Sequence, residues 1–94
     1  MAITFEAVSY GSVFEISVWR YSTEPCGVIV ASATKSEIFY NAESTELEKD
    51  ANGWQYLKKT IFIPTQLPGN SLTIYLWNNG KFPVYFDDLK IIRK

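Results

Sequence analysis

The run Val84-Tyr85-Phe86-Asp87-Asp88-Leu89-Lys90-Ile91 constrains this chain most, because it is a strongly β-prone stretch interrupted by two adjacent carboxylates. Side chains alternate along a strand, so Tyr85, Asp87, Leu89 and Ile91 are expected on one face and Asp88 on the other, toward solvent. Asp87 is then aimed where the apolar residues go. A carboxylate in that position needs a partner, either hydrogen-bond donors such as backbone N–H groups and Ser or Thr hydroxyls, or a metal.

The same period runs through most of the chain. Ile3 to Val8 is a short first candidate strand, ended by a turn at Tyr10-Gly11-Ser12. Val13 to Tyr21 alternates best: Phe14, Ile16 and Val18 form a core row, with Glu15, Ser17, Trp19 and Tyr21 opposite. Arg20 continues the core row, and at a strand end its stem is expected to carry the guanidinium to solvent. Thr23 to Gly27 reads as a loop, Val28 to Ala33 as an apolar strand and Ile38 to Tyr40 as a brief one. Asp50-Ala51-Asn52-Gly53 offers positions that tolerate positive φ, which predicts a hairpin between Thr45–Lys49 and Trp54–Ile63.

In Trp54–Ile63, Leu57, Ile61 and Ile63 share a face with Lys59, while Trp54, Tyr56 and Phe62 share the other with Lys58, which suggests a bulge or a sheet edge. Leu72 to Trp77 alternates again, with Leu72, Ile74 and Leu76 opposite Thr73, Tyr75 and Trp77. Val84 to Ile92 closes the chain. Six or seven strands at this spacing, with turn signals between them and no helix of useful length, predict an antiparallel β-sandwich.

Composition bounds the function classes. The 94 residues suit a single domain, 1–94. A net charge of −1 lacks the basic footprint that a phosphate backbone requires, so nucleic acid is not an expected partner. Cys26 is the sole cysteine and histidine is absent, which removes an intrachain disulfide and the usual zinc, copper and general-base arrangements. Met1 to Val8 is not a basic segment followed by a long apolar stretch, and no window approaches the roughly 18 apolar residues of a membrane span, so no membrane partner is expected.

Ser17 and Ser44 have no histidine to activate them, and Cys26 has no base nearby in sequence. Asp87 and Asp88 cannot form a glycosidase pair, since strand neighbours face opposite ways. Glu46, Glu48 and Asp50 read as a solvated acidic row. The chain is therefore expected to be non-enzymatic.

Phe14-Glu15-Ile16-Ser17-Val18-Trp19, Asn52-Gly53-Trp54, Leu72-Thr73-Ile74-Tyr75-Leu76-Trp77 and Tyr85-Phe86-Asp87-Asp88-Leu89-Lys90-Ile91 occur in that order. Together, from about Ile3 to the end, they resemble the galactose-binding-like β-jelly-roll domains, the fold of many carbohydrate-binding modules attached to polysaccharide-degrading enzymes and surface proteins. Such modules are longer and begin with a further strand. The resemblance thus implies that the N-terminal third is missing, leaving a fragment, a shortened variant, or a domain completed by a partner strand. It also implies a structural calcium ion held by Asp87, and an extracellular or cell-surface setting.

Sugars bind the concave sheet face in the resembling modules, which points to Trp19, Tyr21, Tyr75 and Trp77 as the ligand-binding row. A flat ring suits the apolar C–H face of a pyranose, and Glu15, Ser17, Thr73, Asn78 and Asn79 are the polar neighbours expected to meet its hydroxyls. The same rings can instead cover a sheet or fill a dimer contact. Two functions follow: a carbohydrate-binding module, or a structural or protein-interaction module whose open edge pairs with a second copy or with the rest of a parent chain.

Overall fold

A computed structural model of the chain describes residues 2–24 and 26–94. Met1, ahead of the first expected strand, and Pro25, within the expected Thr23–Gly27 loop, lie outside the described residues. Eight strands occur among the described residues: β1 (Ala2–Phe5), β2 (Val13–Tyr21), β3 (Val28–Ser32), β4 (Tyr40–Glu43), β5 (Glu48–Lys49), β6 (Gln55–Phe62), β7 (Leu72–Trp77) and β8 (Tyr85–Arg93). They form two antiparallel sheets, in the orders β1-β7-β3-β4 and β5-β6-β2-β8. The expected antiparallel sandwich is what the chain builds. Its only helical element among the described residues is a 3-10 turn, Pro68–Asn70.

The count is eight rather than six or seven because both short middle segments pair. Ile38 is not in a strand: its N–H donates to the Lys35 carbonyl in a turn, and pairing resumes at Tyr40, which lies opposite Ser32. Thr45–Lys49 shrinks to the two residues of β5, which cover only Tyr56 and Gln55. The rest of β6 is therefore an edge. Of the bulge or sheet edge expected for this segment, the edge is what forms, and the register of β6 with β2 is continuous from Val13↔Phe62 to Arg20↔Gln55.

The core lies between the sheets, as the alternation requires. Phe14, Ile16 and Val18 of β2 and Leu57 and Ile61 of β6 meet Ile29 and Ala31 of β3 and Leu72 and Ile74 of β7, with Val8, Ile63 and Leu67 entering from the connections. Burying each large apolar side chain is worth about 1.5–3 kcal/mol.

Two expectations about this core are overturned. The bulge lies in β8: Ser17 pairs with Lys90 and Trp19 with Asp87, so Val18 faces an extra residue. Asp88 occupies that position with φ 56°, the left-handed region that Asp tolerates better than most residues. The extra residue resets the phase, so Phe86, Leu89 and Ile91 all pack against the core while Tyr85, Asp87 and Lys90 are exposed. Asp87 thus points outward, not inward as strict alternation predicts.

Arg20 is the second correction. It does not reach solvent but is only 2% exposed, enclosed at the end of the sandwich. Its Nε donates to Gln55 Oε1 at 2.6 Å, and its Nη1 donates to the carbonyls of Gly27 at 2.8 Å and Ser44 at 3.0 Å. Burial lowers the guanidinium below its ordinary pKa, against an opposing pull from Glu46 and Cys26. Gly27 makes this enclosure possible. Its φ is +98°, and a Cβ there would sit 2.8 Å from both Arg20 Cδ and Val84 Cγ1.

Candidate functional site

The register of β2 with its two neighbours gathers the outward-facing rings of one sheet. Trp19 lies opposite Tyr56 of β6, with ring centroids 5.1 Å apart and planes tilted by 47°. One step along the same face, Tyr21 and Trp54 approach to 5.6 Å at 54°. On the other flank of β2, Trp19 lies opposite Asp87 and Tyr21 opposite Tyr85. Trp19, Tyr21, Trp54, Tyr56 and Tyr85 thus form one aromatic surface on the outer face of β5-β6-β2-β8.

At its margin is an open cavity of about 230 Å³, lined by Trp19, Trp54, Asp50, Asn52, Asp87 and Asp88. The β5–β6 turn supplies one wall. Asp50 Oδ1 accepts from the N–H groups of Asn52 at 2.8 Å and Trp54 at 3.0 Å, and Asp50 N–H donates to the Trp54 carbonyl. Gly53, at φ +90°, completes the turn, and its bare backbone lets the Tyr21 ring lie where a Cβ would be only 3.2 Å away. The β8 bulge supplies the facing wall, where Asp87 Oδ1 accepts from Asp88 N–H at 2.9 Å. Each of these two carboxylates is held through one oxygen by local backbone N–H groups.

Charge is distributed unevenly over this face. Beyond Ser17, flanked by Lys58 and Lys90, Glu15 bonds Lys94 at 3.0 Å and Lys58 at 3.1 Å. Its hydrogen bonds to Lys94 and Lys58 hold the Glu15 carboxyl below its ordinary pKa. None of the three ion pairs found among the described residues involves Asp50, Asp87 or Asp88.

The aromatic row expected from sequence is split. Trp19 and Tyr21 belong to the surface just described, whereas Tyr75 and Trp77 project from β7 in the other sheet. Outer faces of a sandwich point away from each other, so the two pairs cannot grip one ligand. Tyr75 is half-buried, and burial with Tyr40 beside it pushes its phenol above the ordinary pKa. Of the expected polar neighbours, Glu15 and Ser17 share the Trp19 face, and Thr73 goes with Tyr75.

Asn78 and Asn79 are occupied by the backbone. Asn79 Oδ1 accepts from Gly27 N–H, and Asn78 donates to the Phe82 carbonyl and accepts from Gly80 N–H. Around Asp87, the inward position linked to calcium does not exist. Among the described residues no group of three or more His, Cys, Asp or Glu is arranged to hold a metal ion.

Sequence reasoning missed Trp54, Tyr56, Tyr85, Asp50 and Asn52. The outward phase of Trp54 and Tyr56 was available from their alternation with Leu57, but the pairing of β6 with β2 was not. No family model, curated protein or solved structure matches this chain.

Proposed function

We propose that this chain is a non-catalytic carbohydrate-binding module that takes a glycan on the outer face of β5-β6-β2-β8. The observation that carries the reading is the Trp19–Tyr56 and Tyr21–Trp54 pairing beside a polar cavity. Each indole offers a broad apolar surface to the C–H face of a pyranose, while Asp50, Asn52, Asp87 and Asp88 stand at the rim where its hydroxyls leave edgewise. These groups are set on paired strands and a hydrogen-bonded turn, so little ordering is needed on binding. The reading also fits the resemblance to galactose-binding-like jelly rolls, with the site moved from two strands of separate sheets to one face.

Binding of a panel of soluble polysaccharides, followed by tryptophan fluorescence, tests it. Trp19→Ala and Trp54→Ala are expected to weaken binding at least about tenfold, the loss of one anchoring ring, and Trp77→Ala to leave it unchanged. Equal binding by all three variants would reject the site.

A specific observation favours a second reading, that of an interaction module. Between the free edges of β1 and β8, Ile3, Phe5, Leu89 and Ile91 line an apolar gap of about 480 Å³. Exposed edges and apolar surface of this kind are places where another strand adds. Light scattering decides for or against a homodimer: a concentration-independent monomer counts against self-association through this gap.

A further inference from the structure

The two sides of the sandwich are sealed differently. On one, the chain crosses from β4 to β5, Leu47 N–H donates to the Tyr56 carbonyl at 2.8 Å, and Lys59 of β6 pairs with Glu43 of β4 at 3.9 Å. On the other, the edges β1 and β8 stand apart over a gap of about 480 Å³ lined by Ile3, Phe5, Leu89 and Ile91. That volume falls within the range of small-molecule pockets, roughly 300–1,000 Å³. Phe5, Leu89 and Ile91 also pack on the core, so the gap leads inward between the sheets. None of the four lining side chains offers a hydrogen bond.

One end of the gap carries a charge. Arg93 continues the inward row of Leu89 and Ile91, and its Nη1 and Nη2 donate to the carbonyls of Glu6 at 3.0 Å and Ala7 at 2.6 Å, directly after β1. Its Cζ lies 5.6 Å from the centre of the Phe14 ring, which also meets the Phe5 ring at 5.1 Å between centroids. The guanidinium thus stands at the Phe5–Ile91 end, tying β8 to the end of β1. Arg93 is exposed and belongs to none of the three ion pairs found among the described residues. A guanidinium has five N–H donors, so two carbonyl bonds orient the fork without exhausting it.

A strand laid along both edges would have to break this clasp, and its backbone would need partners throughout the gap. An alkyl chain needs neither. Apolar walls that end on an oriented cation match an amphiphile with one apolar tail and an anionic head. Independently of the glycan reading, we propose that the β1–β8 gap binds a free fatty acid anion: the tail lies among Ile3, Phe5, Leu89 and Ile91, and the carboxylate meets Arg93. A gap between two strand edges admits a single chain, which suits a free fatty acid rather than a bilayer surface.

The test titrates the intact chain calorimetrically with decanoate, octanoate, decanol and decyltrimethylammonium, all below micelle-forming concentrations, and follows methyl and indole resonances during the decanoate titration. Decanoate is expected to bind roughly tenfold more tightly than octanoate, the worth of two further buried methylenes. It should also bind at least about tenfold more tightly than decyltrimethylammonium, whose head repels a guanidinium. The methyls of Ile3, Leu89 and Ile91 should shift while the Trp19 and Trp54 indoles stay in place. Arg93→Gln should lower decanoate to the affinity of decanol. Because Arg93 also ties the two edges, a second variant is needed: Ile3→Trp, at an exposed edge position, fills the gap and should weaken decanoate and decanol alike by at least about tenfold. Absence of decanoate binding, equal affinity for decanoate and decyltrimethylammonium, or shifts confined to the Trp19–Trp54 face overturns the proposal. Methyl shifts that follow protein concentration alone, with a dimer seen by light scattering, overturn it in favour of a second copy.

Discussion

Arg20→Met isolates the polar contribution of the buried end of the sandwich, because methionine keeps an unbranched apolar stem while removing the guanidinium. Three acceptors lose their donor: Gln55 Oε1 and the carbonyls of Gly27 and Ser44. Ser44 is exposed and can bond water instead, whereas Gln55 and Gly27 are buried. A buried acceptor left unpaired costs about 1–3 kcal/mol, so two cost roughly 2–6. Removing a buried charge recovers part of its desolvation penalty, which brings the expected net loss to about 2–4 kcal/mol. Against the roughly 5–14 kcal/mol of stability typical for a chain of this length, that is a large fraction.

In urea denaturation, with a slope of about 1.5 kcal/mol/M, the midpoint should fall by roughly 2 M at unchanged slope. Adding Gln55→Met removes one stranded acceptor, so the double variant should be more stable than the sum of the single losses predicts, by about 1–2 kcal/mol. A midpoint shift under roughly 0.3 M for Arg20→Met, or strictly additive losses, would refute the claim that these hydrogen bonds hold that end together.

Deleting Asp88 removes the phase reset in β8 and forces either Phe86 or the Leu89–Ile91 pair out of the core, at a cost of about 2–4 kcal/mol; Asp88→Gly keeps the bulge and should stay within about 1 kcal/mol by urea denaturation. Glu15 has a depressed carboxyl pKa, so its pairing stabilises the fold above the ordinary value of 4.5 and is lost as pH falls through the folded value. Melting temperatures of the wild type should therefore exceed those of Glu15→Gln at pH 6, and the two should converge in acid.

The sandwich was legible because its evidence is local. Phe14, Ile16 and Val18 alternate with polar or aromatic residues, and Asp50 to Gly53 carries its turn chemistry in four consecutive positions, so neither required knowledge of distant partners. What failed was long-range or turned on a single residue. One extra residue in β8 inverted the expected orientation of Asp87, and no alternation rule announces a bulge at an Asp-Asp pair. Arg20 looked like a solvent-seeking strand end until Gln55 and the Gly27 carbonyl, 35 and 7 positions away, were seen to receive it. The candidate site was half legible for the same reason. Trp19 and Tyr21 were found by phase, but which strand lies beside them is a matter of sheet order, and β6 rather than β7 supplies the neighbouring rings.

The central claim, that ligand seats on the Trp19–Trp54 face, can be read directly from three resonances. The chain has three tryptophans, so a proton–nitrogen correlation spectrum shows one indole N–H peak for each, assignable by single Trp→Phe substitutions. On titration with the oligosaccharide that binds, the account predicts that the Trp19 and Trp54 peaks move together along one saturable curve while the Trp77 peak, on the opposite sheet, stays in place. Movement of the Trp77 peak alone, or binding that leaves both Trp19 and Trp54 unshifted, would contradict it.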